Sequence, residues 1–279
     1  MKLIYSLAGA ALGIALSLYA AAGKPELVKL WQSEASLKVP ESVLYDAGRK
    51  VLYTSNIDGD KPWEDDGKGS IGKLGLDGKV INAEWVTGLN APKGMGMSGN
   101  FLYVTDNDDV VTIDIEAGKI IDRLPVPNAA TINDLAVSEN GTIYITDSTK
   151  GEIHSLINGV FTNVVKGLTG LNGVHHSNDE LVFVADGQLN ILKKGKVKKI
   201  ADGMEGHVDG VERIDQDSWL VSCWRGPVYH VTRKGKVTLL LDGRPTETSA
   251  ADLGYDPVNK IAYFPGFWKN FVVAYQLKL

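Results

Sequence analysis

Four side chains with hard oxygen donors stand far apart in this chain: Glu41, Asn133, Asn172 and Asp209. Two carboxylates and two amides form a donor set suited to calcium, or to another divalent ion that accepts oxygen ligands and water. The same set could instead fill a closed polar channel, with the side chains hydrogen-bonded to one another and to trapped water. Lys93 and Asp252 extend the four to six polar positions. Successive separations, by subtraction of their positions, are 52, 40, 39, 37 and 43 residues.

Spacing of that kind needs a repeated scaffold, and the sequence supplies one. Downstream of each position lies a short apolar run centred on Tyr53, Tyr103, Tyr144, Phe183, Leu220 or Tyr263, at offsets of 12, 10, 11, 11, 11 and 11 residues. The runs carry strand-like densities of β-branched and aromatic residues, and Gly, Asn, Asp and Pro separate them. Six units near forty residues, each with about four strands, predict an all-β six-bladed β-propeller. The last unit, ending at Val272–Leu277, is one strand short, and Glu26–Trp31 is the segment expected to complete it. Pairing the two ends removes two sheet edges and makes residues 23–279 a single domain. The first strand of each unit would line a central channel, with all six polar positions around one mouth.

Composition limits the function classes. The chain has 279 residues, a formal net charge of −5 and a single cysteine, Cys223. One cysteine excludes an internal disulfide framework and a multi-cysteine metal centre. The absence of a Lys/Arg run argues against a nucleic-acid partner. Lys2, an apolar run from Leu3 to Ala22 and small residues at its end match a secretory signal peptide over residues 1–22. The expected location is therefore periplasmic or secreted, with a retained membrane anchor as the alternative. Nothing after Lys24 is long and apolar enough to span a bilayer as a helix.

Several motifs resemble the SMP-30/gluconolactonase/LRE-like (regucalcin) family. Pro40-Glu41-Ser42-Val43-Leu44-Tyr45-Asp46 is similar to its opening Glu motif. Asn133-Asp134, followed by Ser138 to Asp147, is similar to its third blade, and Gly170-Leu171-Asn172-Gly173 to its fourth. Val208-Asp209-Gly210 with Trp219 to Trp224 resembles its fifth. The resemblance covers most of the chain after residue 23. It implies one divalent metal held by Glu41, Asn172 and Asp209, with calcium the first candidate and zinc, manganese or magnesium the alternatives. It also implies that Asn133 binds substrate or water, that Asp209 serves catalysis, and that a lactone or related ester is hydrolysed with the metal as Lewis acid. Two departures separate this chain from the family. Ser42-Val43 and Tyr45 replace the usual Gly-Pro and Trp after the opening Glu, and Thr131 stands where a sugar-contacting basic residue is common. Those departures bear on the substrate rather than on the metal. A non-catalytic, NHL-like propeller that binds a small ligand or a protein partner is the rival function.

Loops above the channel supply candidate substrate contacts. The stretch from Asn56 to Gly69 is about twelve residues longer than its counterparts, judged from the spacing, and can act as a lid carrying Trp63. A solvated insertion is the plain alternative. Trp224, Arg225 and Trp268 occupy the equivalent loops of units five and six, where aromatic and cationic groups suit an organic ligand. His207, two residues before Asp209, is a candidate base or a surface histidine. Gly67-Lys68-Gly69-Ser70-Ile71-Gly72-Lys73-Leu74 lacks the hydroxyl and the strand–helix context of a phosphate loop, so no nucleotide partner is expected.

Overall fold

The computed structural model describes residues 23–279. The proposed signal segment, residues 1–22, lies outside the described residues. Six four-stranded antiparallel sheets, built almost wholly from consecutive strands, form the blades of a six-bladed β-propeller. The inner strands are Pro40–Asp46, Pro92–Ser98, Ile132–Val137, Leu171–Ser177, Val208–Asp215 and Gly254–Asp256. Helical structure among the described residues is confined to two single turns, Arg244–Thr246 and Phe267–Lys269. No helix among them is long and apolar enough to cross a membrane.

Closure follows the expected route. Glu26–Gln32 pairs antiparallel with Val272–Lys278, the third strand of the sixth blade, and becomes its outermost strand. Apolar clusters fill the spaces between neighbouring blades. One joins Trp219, Val221 and Tyr229 of blade five to Val182, Val184 and Leu189 of blade four. Burial of side chains such as Trp219, Tyr53 and Tyr263 removes large apolar areas from water, at roughly 25 cal/mol per Å².

The inner strands share one irregularity. In five blades the pairing register shifts close to the polar position, between Pro40 and Ser42, Pro92 and Met95, Ile132 and Leu135, Leu171 and Val174, and Val208 and Val211. A register shift interrupts the strict in–out alternation of a strand. Two consecutive residues per blade are thereby available to the axis, and the polar positions form two rings instead of one. The outer ring holds Glu41, Lys93, Asn133, Asn172 and Asp209; the inner holds Ser42, Gly94, Asp134, Gly173 and Gly210.

Blade six corrects the sequence alignment by one residue. Thr105 Oγ1 donates to the carbonyl of Asn133 in the next blade, and Ser222 Oγ donates in the same way to the carbonyl of Ala251. Leu135 and Leu253 each donate a backbone N–H to the preceding aspartate, Asp134 or Asp252. Ala251 is therefore the sixth outer-ring residue, and Asp252 belongs to the inner ring with Asp134. An aspartate one step along the chain matched the expected offset, so spacing alone did not separate the two.

Candidate functional site

Glu41, Lys93, Asn133, Asn172 and Asp209 line one cavity of about 230 Å³ at the channel mouth. Trp63, His207, Trp224, Phe267 and Trp268 wall the same cavity from above. The structure thus brings together every proposed metal, catalytic and substrate residue except Arg225. Arg225 lies in an adjoining cavity of about 390 Å³ with Arg244, across the Trp224 and Trp268 side chains that the two cavities share.

Burial dominates the electrostatics. Glu41, Asp209 and Lys93 are 6%, 3% and 3% exposed. Burial pushes the Glu41 carboxyl well above the usual range, and the nearby Asp209 and Asp252 charges push it further. Asp209 is raised first by burial, then by Asp252, while a hydrogen bond from Asn172 acts the other way. That bond runs from Asn172 Nδ2 to Asp209 Oδ1 at 2.7 Å. Glu41 Oε2 is fully buried with no hydrogen-bond partner among the described residues. A buried carboxylate oxygen without a partner is costly, which marks it as an atom set up for a ligand.

Below the mouth, the inner ring is held by neighbouring blades. Asp134 Oδ2 accepts the N–H of Val174, and Asp252 Oδ2 accepts the hydroxyl of Ser42 at 2.5 Å. A Cβ on Gly94 would sit 2.2 Å from Asp134 Oδ1, and one on Gly210 would sit 2.3 Å from Asp252 Oδ1. Glycine is required at both places by the approach of the next blade. Further along the channel, His175 Nδ1 lies 3.1 Å from Glu212 Oε2. Its neighbour His176 faces the other way and stacks on Tyr144, with ring centroids 5.2 Å apart.

Lys93 carries a contact that sequence reasoning missed. Its ammonium donates to the carbonyls of Pro62 at 2.5 Å and Ala91 at 2.8 Å, and lies 3.6 Å from the centroid of the Trp63 ring. The long first-blade loop is thus fastened over the mouth by a buried cation. Asn107 Nδ2 donates to Asp65 Oδ1 at 2.5 Å, and Gly67 donates its N–H to Asn90 Oδ1 at 3.1 Å, strapping the same loop to blade two. The signal available in the sequence was Lys93 itself, a lone cation among recurring positions otherwise occupied by oxygen donors.

His207 is exposed and stacks on Trp224, with ring centroids 6.5 Å apart and 22° between the planes. Its left-handed backbone (φ 62°) is a turn of the repeat, because Val39 (φ 54°) and Gly170 (φ 59°) adopt it at the equivalent place. Among the described residues no three His, Cys, Asp or Glu side chains gather as a metal cluster. The oxygen set at the mouth has two carboxylates, with amides from Asn133 and Asn172 beside them.

No protein-family profile matches the chain, and no curated protein matches it. Solved structures do resemble it. A catalytically inactive virginiamycin B lyase from Staphylococcus aureus, crystallised with quinupristin, superposes with a TM-score of 0.63 at 14% identity, covering 92% of this chain and 99% of that one. A candidate gluconolactonase superposes at 0.67 with 13% identity, covering 91% and 92%. A chain from a nidogen/laminin complex gives 0.65 at 17% identity, covering 78% and 84%. At such identities the likeness concerns the fold, which serves enzymes and binding proteins alike.

Proposed function

We propose that this protein is a metal-dependent hydrolase of the SMP-30/gluconolactonase type, exported from the cell, that opens a lactone or related ester at the channel mouth. The observation that carries the reading is the pairing of two buried carboxylates, Glu41 and Asp209, with two amides around one ligand-sized cavity. The residues fit a hard divalent cation. Glu41 Oε2 lacks a partner, and the mutual repulsion of Glu41, Asp209 and Asp252 is what a bound cation would offset. Glu41, Asn172 and Asp209 would hold the ion, which, when bound, polarises the ester carbonyl as a Lewis acid. The Asn172 amide would turn to present its oxygen, exchanging its present hydrogen bond to Asp209.

The chain's own groups then divide the remaining work. A carboxylate oxygen of Asp209 takes a proton from water as the water oxygen bonds to the ester carbon. The carbon–oxygen bond to the leaving alkoxide then breaks, and Asp209 returns the proton to that oxygen. Asn133, on the same cavity wall, orients the water or the substrate carbonyl. Trp63, Trp224 and Trp268 cover the reacting end and exclude bulk water.

The rival reading, a non-catalytic propeller that binds a ligand or partner, draws support from the Asn172–Asp209 hydrogen bond, since a purely structural channel must satisfy its polar groups internally. Two measurements separate the readings. Wild type should show a calcium- or manganese-dependent rise in melting temperature that Glu41→Gln and Asp209→Asn abolish, together with cation-dependent hydrolysis of glucono-δ-lactone. Metal-free protein with no thermal response to any divalent ion would overturn the hydrolase reading and leave the binding module.

A further inference from the structure

Besides the cavity that holds Arg225, the mouth adjoins a second, larger one on the side away from Trp224 and Trp268. A cleft of about 510 Å³ runs over blades three to five, and Asn133, Asn172 and His207 line both. The reacting end of a ligand fits the mouth, and the cleft offers room for more than twice that volume beside it.

Repeat equivalence shows which cleft residues the fold does not demand. In four blades the residue just after the second strand donates its N–H to the carbonyl of the residue just before the inner strand: Ile57 to Val39, Ser148 to Thr131, Asp186 to Gly170 and Trp224 to His207. Isoleucine, serine, aspartate and tryptophan all make this bond with the backbone, so the side chains are free to vary. They vary by sector. Ile57 and Trp224 belong to the aromatic half of the rim, with Trp63, Phe267 and Trp268. Ser148 and Asp186 belong to the polar half and line the cleft. Ser148 Oγ is buried and has no hydrogen-bond partner among the described residues. Asp186 is exposed.

The chemistry of the cleft is specific in sign. Its lining contains one carboxylate, Asp186, and no lysine or arginine. Leu171, Met204 and Val208 supply apolar floor, and Gly170 and Gly187 leave it flat. Hydroxyl, carboxylate and amide groups over an apolar floor suit a neutral ring with hydroxyl donors on its edge and C–H groups on its face. An anionic extension would meet Asp186 without a compensating cation.

We infer that the cleft is a second subsite, which binds a neutral, hydroxyl-rich body attached to the reacting lactone or ester, with Ser148 and Asp186 as its specificity-determining residues. The inference rests on the hydrolase reading for its catalytic test, and on the cleft alone for its binding test. Glucono-δ-lactone and lactobiono-δ-lactone share a reacting ring and differ by one galactosyl group. Wild type should hydrolyse the galactosylated lactone with at least tenfold higher kcat/KM. Ser148→Val and Asp186→Lys should erase that advantage while leaving glucono-δ-lactone turnover and the melting temperature unchanged. Equal kcat/KM for the two lactones in wild type, or equal losses on both in the variants, overturns the subsite. If neither lactone is hydrolysed, the hydrolase reading fails by itself. Saturation-transfer NMR with lactose then decides the subsite: binding that Ser148→Val removes supports it, and no binding to wild type refutes it.

Discussion

Replacing Lys93 with methionine removes a buried charge while keeping most of the side chain's length and apolar volume. The ammonium's lid-side interactions are a charge-assisted hydrogen bond to the Pro62 carbonyl and a contact with the Trp63 ring at 3.6 Å. Such a bond contributes about 1.5–3 kcal/mol and a cation–π contact about 0.5–2 kcal/mol. Against these stands the cost of burying the ammonium, which lowers the Lys93 pKa to about 8, with Glu41 and Asp106 opposing the shift. The thioether relieves that cost and still packs on Trp63. The net loss of lid closure should be about 1–3 kcal/mol, or roughly 5- to 150-fold in the opening equilibrium, since 1.4 kcal/mol is a factor of ten. Hydrogen exchange at the Glu64 and Gly67 amides, whose acceptors are Lys61 O and Asn90 Oδ1, reads that equilibrium directly. Trp63 fluorescence should change in parallel, and Lys93→Arg should retain part of the protection. Exchange in Lys93→Met that matches wild type, with the global melting temperature preserved, would refute the role of Lys93 as the fastening of the lid.

Three further outcomes follow from the buried charges and the blade contacts. In chelator, stability should fall as pH rises from about 4 to 7. Burial raises the folded-state pKa of Asp134, and that of Asp252 to about 7, so the native state pays for their ionisation above an unfolded value near 4. Denaturant midpoints that stay flat or climb across that range would contradict this account. Glu180 behaves oppositely, because hydrogen bonds from Arg233 and charges from both arginines lower its pKa, and its contribution is lost only in acid. Glu180→Ala should cost about 2–4 kcal/mol by leaving Arg213 against Trp219 with no carboxylate and Arg233 with only the exposed Asp217, measured by urea unfolding. Gly94→Ala should cost about 3 kcal/mol, because its Cβ would lie 2.5 Å from the Asp134 Cα and 2.8 Å from the Leu135 nitrogen. An unchanged midpoint for Gly94→Ala would mean that the blades can separate without penalty.

Much of the architecture was legible in the chain. The near-forty spacing, the strand-like runs and the missing strand in the last unit led to six blades closed by Glu26–Trp31, observed as the strand Glu26–Gln32, because strand pairing and edge removal are local rules with few solutions. Five of the six outer-ring residues were legible as well, since a polar residue recurring some 10 to 12 residues before an apolar run falls at the start of a blade's inner strand. The sixth was not. Ala251 and Asp252 differ by one step, and the register shift that makes the channel two rings deep is a property of pairing with the neighbouring strand. Lys93 shows the same limit from another side. Its type and position were visible, but its bonds to Pro62 and Trp63 required a loop from the preceding blade to fold across the mouth. The polar and aromatic halves of the rim likewise come from loops more than thirty residues apart in sequence, such as Ser148 and Asp186. Residue order determines which groups recur in each blade; closing the ring decides which of them face one another, because side chains on different blades meet only around the shared axis.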